Sequence, residues 1–312
     1  LRTFTASIIE GACLFVMAAS AASNSLAADN GTVQKQVSAE PRGDVAVNNV
    51  AGSIEVIGWD RAEVMATARL HGAGLGLQVD SRGHDTRVEI TGYNRGSSVF
   101  GSDSIGEREA MLTLHVPRQS SLTVNAVSAS VRSSQVRGSQ RLHAVSGAVT
   151  ADLAAAPVTI RTVSGSIDLR GNGQSASVEV ESVSGSIHLE NGGGDLKAHS
   201  VSGNLQATLS PAHRVDIHTT SGNITISGAL APDAVLDAAS ISGGIGIHTQ
   251  APSGFKYEAS SFSGSLEDCF GAPPQNGGRF GPGAQRLSGT RGAGSAQIHI
   301  KTLSGTVSLC DR

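Results

Sequence analysis

From residue 117 onward the chain repeats one arrangement of apolar and polar positions, centred on a run such as Val163-Ser164-Gly165-Ser166-Ile167. Nine copies keep the glycine, eight in this stretch at Gly147, Gly165, Gly185, Gly203, Gly222, Gly243, Gly264 and Gly305, and an early outlier at Gly52. A degenerate copy, Val127-Ser128-Ala129-Ser130-Val131, has lost it. From Ala129 the steps are 18, 18, 20, 18, 19, 21 and 21 residues, followed by one gap of 41. Seven positions before the glycine stand Leu122, Val158, Val178, Leu196, Val215, Leu236 and Ile298, and five before it Val124, Leu142, Ile160, Val180, Ile217 and Ile300. Two after it stand Val149, Ile167, Ile187, Leu205, Ile224, Ile245, Leu266 and Val307. Leu169, Leu189, Ile226, Ile247 and Leu309 follow at four after it. Apolar residues two apart on either side of a glycine predict two short strands, each with one buried face, meeting at a corner where a Cβ would be costly.

A fixed period near 20 residues is the sequence mark of a stacked repeat. One such unit buries too little to offset the entropy of ordering it, so it is stable only with neighbours above and below. The expected fold is therefore all-β, a β-solenoid (β-helix) of about 20-residue coils, with adjacent coils about 4.8 Å apart. The motif serines would form a column at the bend, hydrogen-bonding along the stack or to nearby backbone.

The repeat also divides the chain. Residues 1–27 are expected to be a secretory signal: Arg2 supplies the positive end, Ala12 to Ala22 the apolar stretch, and Ser25-Leu26-Ala27 a small-x-small site that cleaves between Ala27 and Ala28. Residues 28–40 form a polar lead-in. Residues 41–116 form an N-terminal β cap region, with strand-like runs at 63–70, 75–80, 86–91 and 110–116. Residues 117–312 form the array, interrupted by an irregular loop at 269–295 rich in glycine and proline, and ending in a closing coil. Solenoids need atypical ends because a bare terminal coil exposes a sheet edge.

Composition narrows the chemistry. Aromatics are only 3% and the formal charge is −3, which suits thin stacked sheets and leaves no basic footprint for nucleic acid. Once the signal is removed, no segment reaches the 18 or so apolar residues of a membrane helix. Cys269 and Cys310 both lie five residues after a motif glycine. If their coils stack directly, they are placed for a disulfide, provided residues 270–297 do not insert a further coil between them. An oxidising envelope compartment would permit the bond.

Candidate chemistry falls on the outward columns. Four before the glycine run His143, Arg161, Glu181, His199, His218, Ala239, Ser260 and Lys301. His199 and His218 would stack; a zinc site there is conceivable, but no third ligand has an obvious place, and a solvated polar column is the reading adopted. Arg161 with Glu181, and Asp168 with His188, are expected as ordinary cross-strand pairs. No Gly-x-Ser-x-Gly elbow, phosphate loop or calcium-binding nonapeptide occurs. Arg42-Gly43-Asp44 spells a cell-adhesion tripeptide but reads as a turn before a strand. Trp59 reads as packing between cap and array. No catalytic, cofactor-binding or metal residue is assigned.

The Val50-Ala51-Gly52-Ser53-Ile54 run, Gly58-Trp59-Asp60, Leu114-His115-Val116-Pro117, the Val-Ser-Gly-Ser-Ile series and the ending from Gly289-Thr290-Arg291-Gly292 to Gly305 resemble the bacterial DUF4097 type of β-strand-repeat protein, the "putative adhesin" family. Ala129 departs from that pattern. The resemblance implies an exported or envelope-associated protein and brings no catalytic residues; some such proteins are encoded near sigma and anti-sigma factors. The expectation is a non-enzymatic, exported binding or scaffolding surface, periplasmic or at the cell surface, whose partner is an envelope protein or polysaccharide. A sensor in a sigma/anti-sigma circuit is the alternative, resting on the resemblance alone. A polysaccharide lyase or hydrolase ranks last.

Overall fold

In a computed structural model, the described residues are 31–72, 74–93, 108–251, 253–271, 274–276 and 284–310. The expected signal, with its Ala27–Ala28 cleavage site, lies outside them. The described chain is all-β: its 22 strands form one hydrogen-bonded sheet. None of its residues forms a helix long and apolar enough to cross a membrane.

The repeat pattern becomes a set of parallel ladders whose step is the step of the motif. Strands β8 (Gln140–Ser146), β10 (Val158–Ser164) and β12 (Ser175–Ser184) pair in register, Leu142 beside Ile160 beside Val180. After the glycine, β9 (Val149–Asp152), β11 (Ile167–Arg170) and β13 (Ile187–Ser202) do the same, Val149 beside Ile167 beside Ile187. The ladders continue through β14 (Leu205–Ser221) and β15 (Ile224–Ser242), His199 beside His218 beside Ala239. Side chains seven and five before the glycine, and two and four after it, make up the core; Ile160, Ile217, Ile226 and Leu309 are wholly buried. The exception at the first of these positions is Gln140, buried where its neighbours are aliphatic. Its amide donates to the Asp152 carbonyl (3.0 Å) and its oxygen accepts from Ser133 (2.7 Å), so no polar atom is left stranded.

At the corners the backbone needs glycine. Gly222 has φ +150°, and a Cβ on it would lie 2.0 Å from the Gly203 carbonyl oxygen. Its N–H donates to the Ser242 carbonyl at 3.1 Å, and Gly203 donates likewise to Ser221. The bend is thus stitched along the stack by backbone groups of the motif Ser-Gly pair, while the serine side chains face outward in the exposed class. Ala129 is accommodated because β7 (Ser121–Ser134) runs unbroken through that position without a left-handed residue there.

Residues 44–59 form a single strand, β2, lying directly on β7 with Gly52 opposite Ala129. On its other side β2 is shared by β5 (Asp85–Thr91) and β6 (Glu109–Pro117), both parallel to it. Antiparallel strands then cover these two: β4 (Gly76–Arg82) on β5, and β3 (Glu63–His71) on β6. The lead-in expected as merely polar contains a strand, β1 (Thr32–Ser38), antiparallel to β3. Val33 and Val37 pack against the core from it, two apolar positions of even spacing that are enough to dock an edge.

Two further departures occur at the other end. The closing segment is not terminal in space. Strands β21 (Ala296–Ser304) and β22 (Val307–Cys310) lie between β15 and β16 (Ile245–Gln250) on one side and β17 (Gly254–Ser263) and β18 (Leu266–Asp268) on the other, parallel to both. The corner glycines therefore stack in the order Gly222, Gly243, Gly305, Gly264. The segment 269–295, expected to be irregular, contains β20 (Gln285–Gly292), antiparallel to β17. Its alternation is hidden by Gly289 and Gly292, and pairing to β17 supplies what the local pattern lacks. Both ends of the parallel stack are thus covered by antiparallel strands, which removes the bare parallel edge. At this end Tyr257 donates to Asp268 (2.7 Å), and burial and that carboxylate push its phenol up to about 12.

Candidate functional site

Period-two alternation puts the residues six, four and two before each glycine on one outward face. In spatial order, the column four before holds His143, Arg161, Glu181, His199, His218, Ala239, Lys301 and Ser260. The column two before is apolar and exposed: Val145, Val163 and Val183 each show 48% of their surface, Val201 50%, Ile241 52%, Leu303 51% and Phe262 54%. Thr220 interrupts it once. Between these two outward columns the chain turns inward at a buried file of small residues: Ala144, Thr162, Ser182, Ser200, Thr219, Ser240, Thr302 and Ser261. The hydroxyls of Ser200, Thr219, Ser240, Ser261 and Thr302 have no hydrogen-bond partner. The result is a groove of about 760 Å³ running from Arg161 and Glu181 to Lys301 and Leu303.

Several charged side chains pair along this face. Arg161 Nε meets Glu181 Oε2 at 3.0 Å, Lys197 Nζ meets Glu179 Oε1 at 3.5 Å, and His218 Nε2 meets Asp216 Oδ1 at 2.8 Å. The imidazoles of His199 and His218 stack, centroids 5.1 Å apart and 23° between planes. His199 Nε2 is buried without a partner, yet among the described residues no group of three His, Cys, Asp or Glu is placed to hold a metal. His143, at the start of the column, is held below its usual pKa by burial first and then by Arg161 and Arg141. Lys301 stands apart: its neighbours along the column are Ala239 and Ser260, and it enters no ion pair among the described residues.

Elsewhere the candidate residues take structural roles. Asp168 lies opposite His188 in register, but the ion pair that His188 makes is with Glu190, Nε2 to Oε1 at 3.1 Å. Side chains two apart on one strand share a face, and here that neighbour takes the imidazole instead of the cross-strand one. Arg42-Gly43-Asp44 is a turn: Gly43 N–H donates to the Glu40 carbonyl, and Arg42 Nε donates to Gln119 Oε1 at 2.9 Å. Trp59 donates its indole N–H to the Glu63 carbonyl (2.8 Å), lies 5.1 Å from the His115 ring and carries the Arg61 guanidinium over its face. Cys269 and Cys310 are a pair at disulfide distance, Cα atoms 5.0 Å apart, because β18 and β22 are direct neighbours.

The exposed apolar column is the feature that reading the sequence for core residues passes over. Its signal was present, since an apolar residue an even number of positions before the glycine must point away from a core built on the odd ones.

Solved structures similar to this chain include a "putative cell adhesion protein" from Clostridium sporogenes (10% identity, 90% of this chain and 100% of that one, TM-score 0.23). Others are a "putative adhesin" from Parabacteroides merdae (12%, 90% and 97%, TM-score 0.31) and a "putative lipid binding protein" from Parabacteroides distasonis (9%, 90% and 98%, TM-score 0.31). Scores of this size carry no argument about what this chain does. No curated protein matches it. The model of the Toastrack DUF4097 family matches residues 44–264, the span from the start of β2 to the last corner glycine of the stack, and on that match the chain belongs to the Toastrack DUF4097 family.

Proposed function

We propose that the protein is a non-enzymatic, exported β-solenoid whose outward face from Arg161 to Lys301 is an adhesin-like binding or scaffolding surface of the bacterial cell envelope. The observation that carries this reading is the pairing of an exposed apolar column, interrupted only at Thr220, with a polar column in which Arg161 and Glu181 neutralise each other. Exposed apolar surface of this extent mostly marks an interaction site, and a stack of repeats presents it as a repeated, extended contact. Parallel in-register ladders with a corner glycine at each step support the coil description. Antiparallel strands before β6 support a cap region over 41–116, followed by an array over 117–312. The Cys269–Cys310 pair, read as a disulfide, fits an oxidising compartment, and residues 1–27 are read as the signal that takes the chain there.

The test is saturable binding of the purified chain to isolated envelope material and to a glycan array, with Val201→Asp and Ile241→Asp on the groove and Thr225→Asp on another exposed position of the stack. Binding that the groove variants abolish and Thr225→Asp leaves intact supports the proposal. Binding indifferent to all three removes it.

A further inference from the structure

We infer that the groove between the two outward columns takes the aliphatic chain of a long-chain fatty carboxylate, with its carboxylate at Lys301; this rests on the proposed binding face and names its ligand. Three observations lead there. First, the exposed column is aliphatic at Val183, Val201, Ile241 and Leu303, with Thr220 the one hydroxyl-bearing step between them, and the groove holds no phenyl or indole ring. A sugar ring would find no phenyl or indole face there, and the unpartnered hydroxyls of Ser200, Thr219, Ser240 and Thr302 on the groove floor are buried out of its reach. A methylene chain needs only apolar contact. Second, the groove is long. Six successive rungs, at Arg161, Glu181, His199, His218, Ala239 and Lys301, line it, and five steps of about 4.8 Å make a trough roughly 24 Å long, a length for an extended chain and not for a compact molecule. Third, the charges sort by position. Arg161 and Glu181 pair at one end, and between Glu181 and Lys301 the column holds only His199, His218 and Ala239, with no lysine, arginine or carboxylate among them. At the other end Lys301, flanked by Ala239 and Ser260, makes no ion pair among the described residues. One free cation at the mouth of an aliphatic trough complements a molecule with one anionic head and one apolar tail.

Lys301 lies on the strand that enters the stack out of sequence order, between β15 and β17. Lys301 and Leu303 therefore complete a trough whose other rungs come from residues 161–241.

The test uses the purified full chain and sodium salts of saturated fatty acids from octanoate to hexadecanoate, each below its aggregation limit, by titration calorimetry. Saturable one-to-one binding that tightens roughly twofold per added methylene is expected, half the factor for complete burial. Val201→Asp should weaken hexadecanoate at least roughly tenfold by placing a charge against the chain. Lys301→Gln should weaken it roughly threefold and leave the methyl ester of the same acid unaffected. Absence of binding, affinity independent of chain length, or Val201→Asp without effect overturns the assignment. So does sedimentation showing that Val201→Asp instead abolishes self-association, which would give the column to a second copy. If envelope material binds through the groove while fatty acids do not, only this inference fails. If fatty acids bind as described and envelope material does not, only the broader functional reading fails.

Discussion

A Cβ on Gly305 would lie 2.1 Å from the carbonyl oxygen of Gly243, and a Cβ on Gly264 would lie 2.1 Å from that of Gly305. The last repeat in sequence is therefore clasped between two earlier ones. It also supplies the Lys301 and Leu303 end of the groove, so the stack and the candidate site are completed together by the C-terminal segment.

The corner glycines should be the least replaceable residues in the chain. Gly222→Ala combines a left-handed backbone with a 2.0 Å approach to the Gly203 carbonyl, and should cost about 3 kcal/mol or more. Gly83, at φ +58° with open space around it, should lose only about 1 kcal/mol on the same change. Urea unfolding of the two variants measures the difference.

The Cys269–Cys310 pair should act as a staple on the inserted strands. Reduction, or Cys310→Ala, should lower stability by about 2–4 kcal/mol. Limited proteolysis of the reduced protein should then cut first within 269–295, the connection that leads to the inserted segment. Melting with and without reductant, followed by mapping of the first cleavage, tests both.

Inward and outward positions should separate cleanly by substitution. Ile217→Ala empties a wholly buried site and should cost about 2–5 kcal/mol. Val201→Asp, on a side chain half exposed, should stay within about 0.5 kcal/mol of the parent. If Val201→Asp instead proved as damaging as Ile217→Ala, the apolar column would be core and could not be a binding face.

Two histidines should titrate on opposite sides of 6.5. His84 is raised, chiefly by its hydrogen bond to Glu40 (2.9 Å), with Asp44 and Asp85 adding to it. A raised folded value means that its contribution to stability is full below pH 6.5 and is lost as pH rises through that value. His143 is lowered by burial and by Arg161 and Arg141, so it opposes folding increasingly as pH falls below 6.5. NMR titration should show Glu40→Gln returning His84 toward 6.5 and leaving His143 unchanged.

Much of this architecture could be read from the chain. The odd-numbered offsets before the glycine and the even-numbered ones after it name the core directly, and the strands at 63–71, 76–82, 85–91 and 109–117 lie where alternation puts them. What could not be read depends on non-local pairing. Nothing in residues 296–310 distinguishes a terminal repeat from an inserted one, because either slot offers the same glycine and the same aliphatic neighbours. β20 is similarly silent, its glycines masking an alternation that only β17 completes. Of the groove, the polar column was visible as a list. The trough was not, because the exposed valines look like core residues until their offset from the glycine is counted.

The most direct test of the binding face is hydrogen–deuterium exchange on the protein with and without saturating envelope material. New protection is expected at five segments remote in sequence, 181–183, 199–201, 218–220, 239–241 and 301–303, which adjoin along the groove, with none at 167–170 or 187–190. Protection confined to those last two segments, or spread evenly over the stack, would contradict the proposed binding face.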